Sequence, residues 1–212
     1  MPDSSSSVIH WFRRDLRIAD NLSLSRAAAH GLPVVTVYFL SAWKSAHAWT
    51  GPKRQHFLCG SLASLSRNLE TLGGNLIIRR DDPVAGLDKL IRETRAVAVH
   101  FNLDPDPFGK AVETKVRELC ARWGIECHGH ADASLHRPDE VLTLSGQPYR
   151  VYTPYSKNWL SLPKASPVVK PKALKSPVGL QTLALPTVKI WGWQVQQAVL
   201  PEPGERGARE RL

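Results

Sequence analysis

The sequence predicts an α/β fold, a doubly wound five-stranded parallel sheet followed by an irregular proline-rich linker. Two observations indicate this architecture. Strand-like apolar runs alternate with amphipathic helix patterns between residues 8 and 130, and this order is typical of βαβ units that place helices on both faces of a sheet. Beyond that point, five prolines between residues 163 and 186 interrupt any regular element.

The first predicted strand, residues 8–12, is β-branched, aromatic or apolar and leads into a densely charged loop. A helix over residues 22–30 follows. The Asp-Asn pair at 20–21 supplies its N-cap, and Gly31 lies just past its end. Residues 33–40 form a nearly continuous apolar run, which is typical of a strand covered on both faces.

A loop over residues 41–52 leads to the clearest predicted helix, residues 54–72. Its leucines recur at steps of three and four along one face. A short third strand is predicted over residues 75–78. The pair Asp82-Pro83 then marks the start of another helix, because an acidic N-cap followed by proline is a strong start signal.

The last two predicted strands cover residues 96–101 and 125–130. Between them, the sequence predicts a helix over residues 110–123. Trp123 is expected on the inward face of this helix, and Gly124 closes it. The alternation of strands and helices is then complete.

The second part of the chain has a different character. An irregular excursion is predicted over residues 136–151 and a short helix over residues 153–162. Residues 163–186 are rich in proline and lysine, which favours an extended, semi-rigid linker. We therefore divide the chain into three parts: an α/β domain (1–135), an excursion with a linker (136–189), and a C-terminal segment (190–212).

The C-terminal segment contains apolar residues, among them Trp191, Trp193 and Leu200, before a charged run. Such side chains are hard to bury on a tail alone. We expect this segment to be the start of a further domain that is missing from this chain.

Composition limits the classes of function. The formal net charge is +9 and the sequence pI about 9.7, which suits a polyanionic partner such as nucleic acid. The sequence contains no membrane-spanning run and no secretory signal, so no membrane partner is expected. Cys59, Cys120 and Cys127 lack paired metal-ligand spacing, which predicts a reduced cytoplasmic setting without zinc.

Catalytic signatures are absent from the sequence. It has no glycine-rich phosphate loop, no nucleophile elbow and no HExxH motif. The eight histidines are scattered, and we interpret His10 and His100, inside predicted strands, as structural. We therefore expect no catalytic site and no metal site in this chain alone.

Residues suited to an aromatic ligand converge at one edge of the predicted sheet, because ligands of open α/β sheets bind at the carboxyl ends of the strands. Flat apolar walls with a few polar anchors suit such a ligand, and arginine can stack on its ring or pair with its oxygen. The alternative is a solvated charged loop beside ordinary core side chains. The candidate site residues are Arg13, Arg14, Phe39, Leu40, Arg54, Phe57, Leu58 and Asp104.

The segment HWFRRDLRIADN, residues 10–21, resembles the opening of the DNA photolyase and cryptochrome family. Residues 51–58 resemble the start of a family helix, and residues 102–110 resemble the loop after its fourth strand. Residues 152–159 resemble its T-P-aromatic-aromatic-K-x-W segment, and residues 203–212 the start of its flavin-binding helical domain.

This resemblance implies a Rossmann-like N-terminal domain that binds an antenna chromophore, with FAD held in the helical domain that we expect to be missing. The spelling D-P-F-G-K at residues 106–110 resembles members that bind a deazaflavin or FMN rather than methenyltetrahydrofolate. By the same resemblance, Arg14 and Asp104 match the polar anchors of such a ring. Arg54, Phe57 and Leu58 match its surroundings.

Three functions stay open. By resemblance, the chain is the antenna domain of a deoxyribodipyrimidine photolyase-like lyase, passing excitation energy to FAD for light-dependent repair of pyrimidine dimers in DNA. The second function is a cryptochrome-type blue-light signalling domain with the same fold. The third is a stand-alone basic module that binds nucleic acid through the lysines of the linker.

Overall fold

The structure is a computed structural model. It describes residues 6–40, 51–137, 139–189 and 200–212. Nearly all of the predicted loop over residues 41–52 lies outside the described residues, and so do Trp191 and Trp193.

Five parallel strands form one sheet in the order β3-β2-β1-β4-β5, which confirms the predicted fold class. The strands are β1 (Ser7–Phe12), β2 (Val34–Phe39), β3 (Leu76–Arg79), β4 (Ala96–Asn102) and β5 (Glu126–His130). The helices are α1 (Leu22–Ala29), α2 (Pro52–Glu70), α3 (Pro83–Thr94), α4 (Pro107–Trp123), α5 (Tyr152–Ser161) and α6 (Glu205–Arg209). The strand order reverses between β1 and β4, and such a switch point is where open α/β sheets bind ligands.

Helices cover both faces of the sheet. Helices α1 and α2 pack on one face, where Val8 and Phe12 of β1 are buried. On the other face, α3 and α4 cover Ile9 and Trp11 of the same strand. Successive side chains of a strand point to opposite faces, so a strand buried on both sides is apolar at almost every position.

Side-chain caps explain where two of the helices begin. The Asn21 Oδ1 atom accepts a hydrogen bond from the Leu24 amide at 3.0 Å, which confirms the predicted start of α1. Asp82 accepts from the amides of Val84 and Ala85, which confirms the start of α3. These bonds satisfy amides that have no partner within the first helical turn.

Helix α4 begins at Pro107 rather than at residue 110, so the predicted start was wrong. Asp106 caps it, because its Oδ1 atom accepts from the Gly109 amide at 2.6 Å. The pair Asp106-Pro107 repeats the signal that Asp82-Pro83 gives for α3. A surrounding loop rich in aspartate and proline concealed it in the sequence.

Trp123 was expected on the inward face of α4, and this prediction was also wrong. Its side chain is 40% exposed. Its indole N–H donates to Asp88 Oδ1 at 2.8 Å, and the Arg92 guanidinium lies 5.7 Å from its ring centroid. The last turn of α4 thus covers the neighbouring helix α3 rather than the sheet.

Residues 163–189 contain no helix or strand, as predicted, but they do not form a free spacer. The Leu174 amide donates to the Leu72 carbonyl at 2.7 Å, and the Leu174 side chain is buried. The Leu183 amide donates to the Ile78 carbonyl at 2.9 Å. Strand β3 is an edge strand with unpaired backbone groups, so this segment covers the edge of its own sheet.

Residues 200–212 also pack on the α/β domain. The Glu205 carboxylate accepts from the amides of Ile18 at 3.0 Å and Ala19 at 3.2 Å, in the loop after β1. Pro203 lies against α2 so closely that a Cβ atom on Gly60 would be 2.3 Å from the Pro203 Cγ atom. Glycine at position 60 therefore permits the contact.

Helix α5 lies at the surface, and none of its residues is buried. Within the ranges that the structure describes, every helix is too short or too polar to cross a bilayer.

Candidate functional site

A cavity of about 570 Å³ opens at the carboxyl edge of the sheet, beside the switch point. Its volume lies within the range of about 300–1,000 Å³ that is usual for small-molecule sites. The cavity brings together seven of the eight candidate residues: Arg13, Arg14, Phe39, Arg54, Phe57, Leu58 and Asp104. Leu40 does not line it, because its side chain is buried in the core under α1 and α2.

Arg14 and Asp104 meet at the rim of this cavity. The Arg14 Nε atom lies 2.8 Å from the Asp104 Oδ2 atom, and the guanidinium also pairs with Asp106. The Arg14 side chain is 71% exposed, whereas that of Asp104 is 8% exposed. A buried carboxylate thus orients a guanidinium whose remaining surface is open to a ligand.

The electrostatics of the rim favour the ionised form of Asp106. The Gly109 amide, which donates to Asp106, lowers the pKa of this carboxyl group, and the nearby charge of Arg14 lowers it further. Asp106 therefore caps α4 and pairs with Arg14 as an anion.

Arg13 has a different environment, although it is the neighbour of Arg14 in sequence. Its guanidinium is largely buried, and NH1 lies 2.5 Å from Glu113 Oε1 and 3.1 Å from the Asn102 carbonyl. It also lies 4.8 Å from the Trp11 ring centroid. These contacts use the guanidinium within the protein, so Arg13 ties the end of β1 to α4 and supports the cavity wall.

Glu113 was not among the residues that the sequence predicted for the site. It lies inside α4, where a glutamate is usually solvent-exposed. Here its side chain is buried and contacts Arg13, and its Oε1 atom also accepts from the Asp104 amide at 2.7 Å. Its position beside the buried residue Val116, one turn on, is a weak signal of the inward face.

A buried polar network fixes the loop after β1. Asp15 accepts from the side-chain amides of Asn21 at 3.0 Å and Asn102 at 2.7 Å. The Asn102 amide also donates to Asn21 Oδ1 at 3.0 Å. Nearby, Arg17 pairs with Asp132 at 2.7 Å. These bonds join the loop to β4 and set the directions of the side chains that reach the rim.

The walls of the cavity are largely apolar. Phe39 is buried and its ring contacts Trp11 edge-on, with the centroids 6.2 Å apart. A Cβ atom on Gly86 would lie 2.2 Å from Phe39 Cε1, so glycine at position 86 leaves room for the phenyl ring. Helix α6 and its N-cap residue supply a further part of the wall through Gly204, Glu205 and Ala208.

A second group of side chains lies on the face of the sheet that α1 covers. We name His30, His100, His128 and His130 the imidazole cluster. His30 Nε2 lies 3.0 Å from His100 Nε2, and His100 Nδ1 lies 3.1 Å from His130 Nε2. In the sequence these histidines are scattered, but the register of the parallel strands places His100 beside His128.

Burial and the neighbouring imidazoles lower the pKa of His100 to about 3. Burial also lowers the pKa of His10, the next ring along the sheet, to about 3. His10 Nδ1 lies 3.0 Å from the Ser23 hydroxyl, which agrees with its interpretation as a structural residue.

Comparisons with known proteins place this geometry in context. A sequence model of the DNA photolyase family matches residues 8–175. A deoxyribodipyrimidine photo-lyase of Synechococcus sp. is 33% identical over an alignment 216 residues long, gaps included. The alignment covers 98% of this chain and 45% of that protein. Cryptochrome-1 of Arabidopsis thaliana is 31% identical over 176 residues, which cover 82% of this chain and 26% of that protein.

A solved structure supports the same relationship. The class III photolyase of Agrobacterium tumefaciens superimposes with a TM-score of 0.85 at 34% identity, covering 97% of this chain and 43% of that one. The chain thus spans less than half the length of each of these three relatives. Its sequence and its fold both point to the same family, and the chain belongs to the DNA photolyase family.

Proposed function

We propose that this chain is an antenna domain, which holds a flat light-absorbing chromophore in the cavity at the carboxyl edge of the sheet. The observation that carries the proposal is the cavity of about 570 Å³, which has apolar walls and the pair of Arg14 and Asp104 at its rim. A site of this construction suits an aromatic ring system with a polar edge.

The proposed roles of the residues follow from their environments. Phe39, Phe57 and Leu58 provide apolar surface for the ring. Arg14, which Asp104 orients, offers N–H donors to an oxygen at the ring edge. Arg13 acts indirectly, since its contact with Glu113 holds the wall in place.

We propose that the chromophore is a deazaflavin or FMN rather than methenyltetrahydrofolate. A second recess of about 320 Å³, lined mainly by charged and polar residues, adjoins the cavity and shares Arg13, Arg14, Asp15, Arg17 and Asp104 with it. The ring would occupy the apolar cavity, and this recess would accept the hydroxylated side chain that both flavin-type ligands carry. The preference also rests on the resemblance of residues 106–110 to flavin-binding members.

The chemistry that such a chromophore supplies is absorption of near-UV or blue light and non-radiative transfer of the energy. The protein supplies a fixed orientation and exclusion of water. It needs no nucleophile and no general acid or base for this task. Residues 1–135 provide the strands and most of the cavity, and we propose that residues 190–212 begin the helical FAD domain.

For the whole protein, we propose light-dependent repair of pyrimidine dimers in DNA, with FAD in the helical domain as the electron donor. Enzymes that act on a base extrude it from the duplex, and that task would fall to the other domain. The match to Cryptochrome-1 favours blue-light signalling as a second candidate. Both candidates use the same antenna site, and DNA binding by the linker lysines stays a prediction.

The experiment is a binding titration with the 212-residue chain. FMN, a deazaflavin and methenyltetrahydrofolate are each added, and ligand fluorescence and absorbance are followed. We expect stoichiometric binding of FMN or the deazaflavin. No binding of any of the three ligands would contradict the proposal.

A pair of variants locates the site. Phe57→Ala removes a cavity-lining ring that is 39% exposed, so we expect at least about tenfold weaker binding with little change in folding. Tyr155→Ala is the matched control, because Tyr155 is 37% exposed and lies on α5, away from the cavity. Equal affinities of the two variants would place the ligand elsewhere.

A further inference from the structure

The imidazole cluster has no role in the proposed antenna function. None of its four residues lines the cavity at the carboxyl edge. From its geometry we propose that His30, His100 and His128 bind a first-row divalent transition-metal ion, with Zn²⁺ as the best-fitting ion.

The spacing of the nitrogens supports this site. One ring nitrogen from each of the three histidines lies within 4.8 Å of the others. His30 Nε2 and His100 Nε2 are 3.0 Å apart. Two imidazoles that bind one zinc ion tetrahedrally, with Zn–N bonds of about 2.0–2.1 Å, have nitrogens about 3.3 Å apart. The first pair therefore already has nearly the separation of two ligands. The nitrogen of the third ring, at most 4.8 Å from the others, has to approach them by at most about 1.5 Å.

His100 is the most firmly held of the three rings, and the less buried rings of His30 and His128 can adjust around it. His100 is buried within β4, in register with His128 of β5, so the sheet fixes it. His30 lies at the C-terminal end of α1 and is exposed, so its side chain can turn towards the ion. One rigid ligand and one adjustable ligand allow the site to close around a cation.

Two further side chains orient the ligands. His100 Nδ1 lies 3.1 Å from His130 Nε2, which leaves His100 Nε2 directed at His30. Glu126 Oε2 lies 2.6 Å from His128 Nε2. Metal-binding histidines usually hydrogen-bond through one nitrogen to such a partner, which fixes the tautomer and the ring orientation.

The protonation state also suits a metal. Neutral imidazole is the form that binds metal ions. Burial, assisted by the neighbouring imidazoles, lowers the pKa of His100 and keeps this ring neutral. Three neutral nitrogen donors, with one position left for water, are a ligand set that zinc uses in proteins.

The test is a titration of the 212-residue chain with Zn²⁺ in competition with a chromophoric chelator, under reducing conditions. Co²⁺ serves as a spectroscopic probe, since its visible absorption reports coordination by nitrogen. We expect one equivalent of Zn²⁺ to bind. His30→Ala and His128→Ala should each weaken binding at least about a hundredfold, and Glu126→Gln should weaken it about 10–100-fold.

The matched control is His56→Ala, because His56 is an exposed histidine of α2 outside the cluster. This variant should bind Zn²⁺ like the unmodified chain. Absence of binding to the unmodified chain overturns the proposal. Equal affinities of His30→Ala, His128→Ala and His56→Ala also overturn it, because the ion then lies elsewhere. His30 is exposed, so its substitution leaves the fold intact and the comparison interpretable.

Discussion

Two groups of polar side chains lie on this sheet, and they are stabilised in opposite ways. At the carboxyl edge, the buried guanidinium of Arg13 contacts the carboxylate of Glu113, so each charge has an opposite partner. In the imidazole cluster, His100 contacts other imidazoles and remains neutral. The first group depends on charge and the second on its absence, so mutation and pH should act on them differently.

The largest effect is expected from Glu113→Ala. This change removes the nearest carboxylate from the buried Arg13 guanidinium and leaves only Asp104, at 4.0 Å, and breaking a buried pair in this way costs about 3–5 kcal/mol. Chemical denaturation measures the free energy of unfolding. The control is Glu118→Ala on the exposed face of α4, where we expect a change within about 0.5 kcal/mol. Similar losses in both variants would show that the Arg13 contact contributes little.

A smaller effect should follow from acid. Burial holds the pKa of His10 and of His100 at about 3, whereas unfolded histidine titrates near 6.5. Below pH 6.5 the unfolded chain therefore binds more protons than the folded chain. The free energy of unfolding decreases as the pH is lowered through 6.5, and it is retained above 6.5. For the two residues together, the loss between pH 6.5 and 5.5 is about 2 kcal/mol.

Denaturation curves at several pH values, recorded with a chelator to exclude metal ions, measure this dependence. His100→Gln removes one of the histidines whose pKa burial lowers, the others being His10 and His130, so the unfolding free energy of the variant should change less steeply with pH. The comparison uses slopes, so a uniform loss of stability in the variant does not affect it. An unchanged slope would show that His100 is not held neutral in the folded state.

The smallest effect on stability is expected from Arg14→Met. The Arg14 side chain is mostly exposed, and exposed ion pairs contribute about 0–1 kcal/mol. Binding should respond more strongly, because the variant lacks the donors at the cavity rim, and we expect chromophore affinity to fall about tenfold. Thermal unfolding and the ligand titration measure the two quantities. A loss of stability without a loss of affinity would reverse the roles of Arg13 and Arg14.

The fold was largely predictable because its signals are local. Strands β1 to β4 are short, mainly apolar runs, and Asn21 and Asp82 mark helix starts through bonds to amides two or three residues away. The errors arose where tertiary contacts determine the direction of a side chain. Trp123 is apolar, yet its partners Asp88 and Arg92 belong to another helix.

The side chains at the carboxyl edge of the sheet could be predicted from the sequence, whereas the imidazole cluster could not. Parallel strands always bring their carboxyl ends to one edge, so Arg14 and Asp104 could be placed together without knowing the register. The imidazole cluster depends on the register itself. His100 and His128 meet only because β4 and β5 align at these positions, and His30 arrives from the end of a helix. Glu113 was missed because its inward direction depends on how α4 rotates against the sheet.

Helix α6 has a practical consequence for anyone who expresses parts of this chain. A fragment ending at residue 189 would keep all five described strands of the sheet. It would lack Gly204, Glu205 and Ala208, which close one side of the cavity. Bulk solvent would then reach the proposed chromophore and quench its fluorescence. Such a shortened fragment would bind the proposed chromophore weakly and with low fluorescence. That result would reflect the missing residues of the cavity wall rather than the function of the protein.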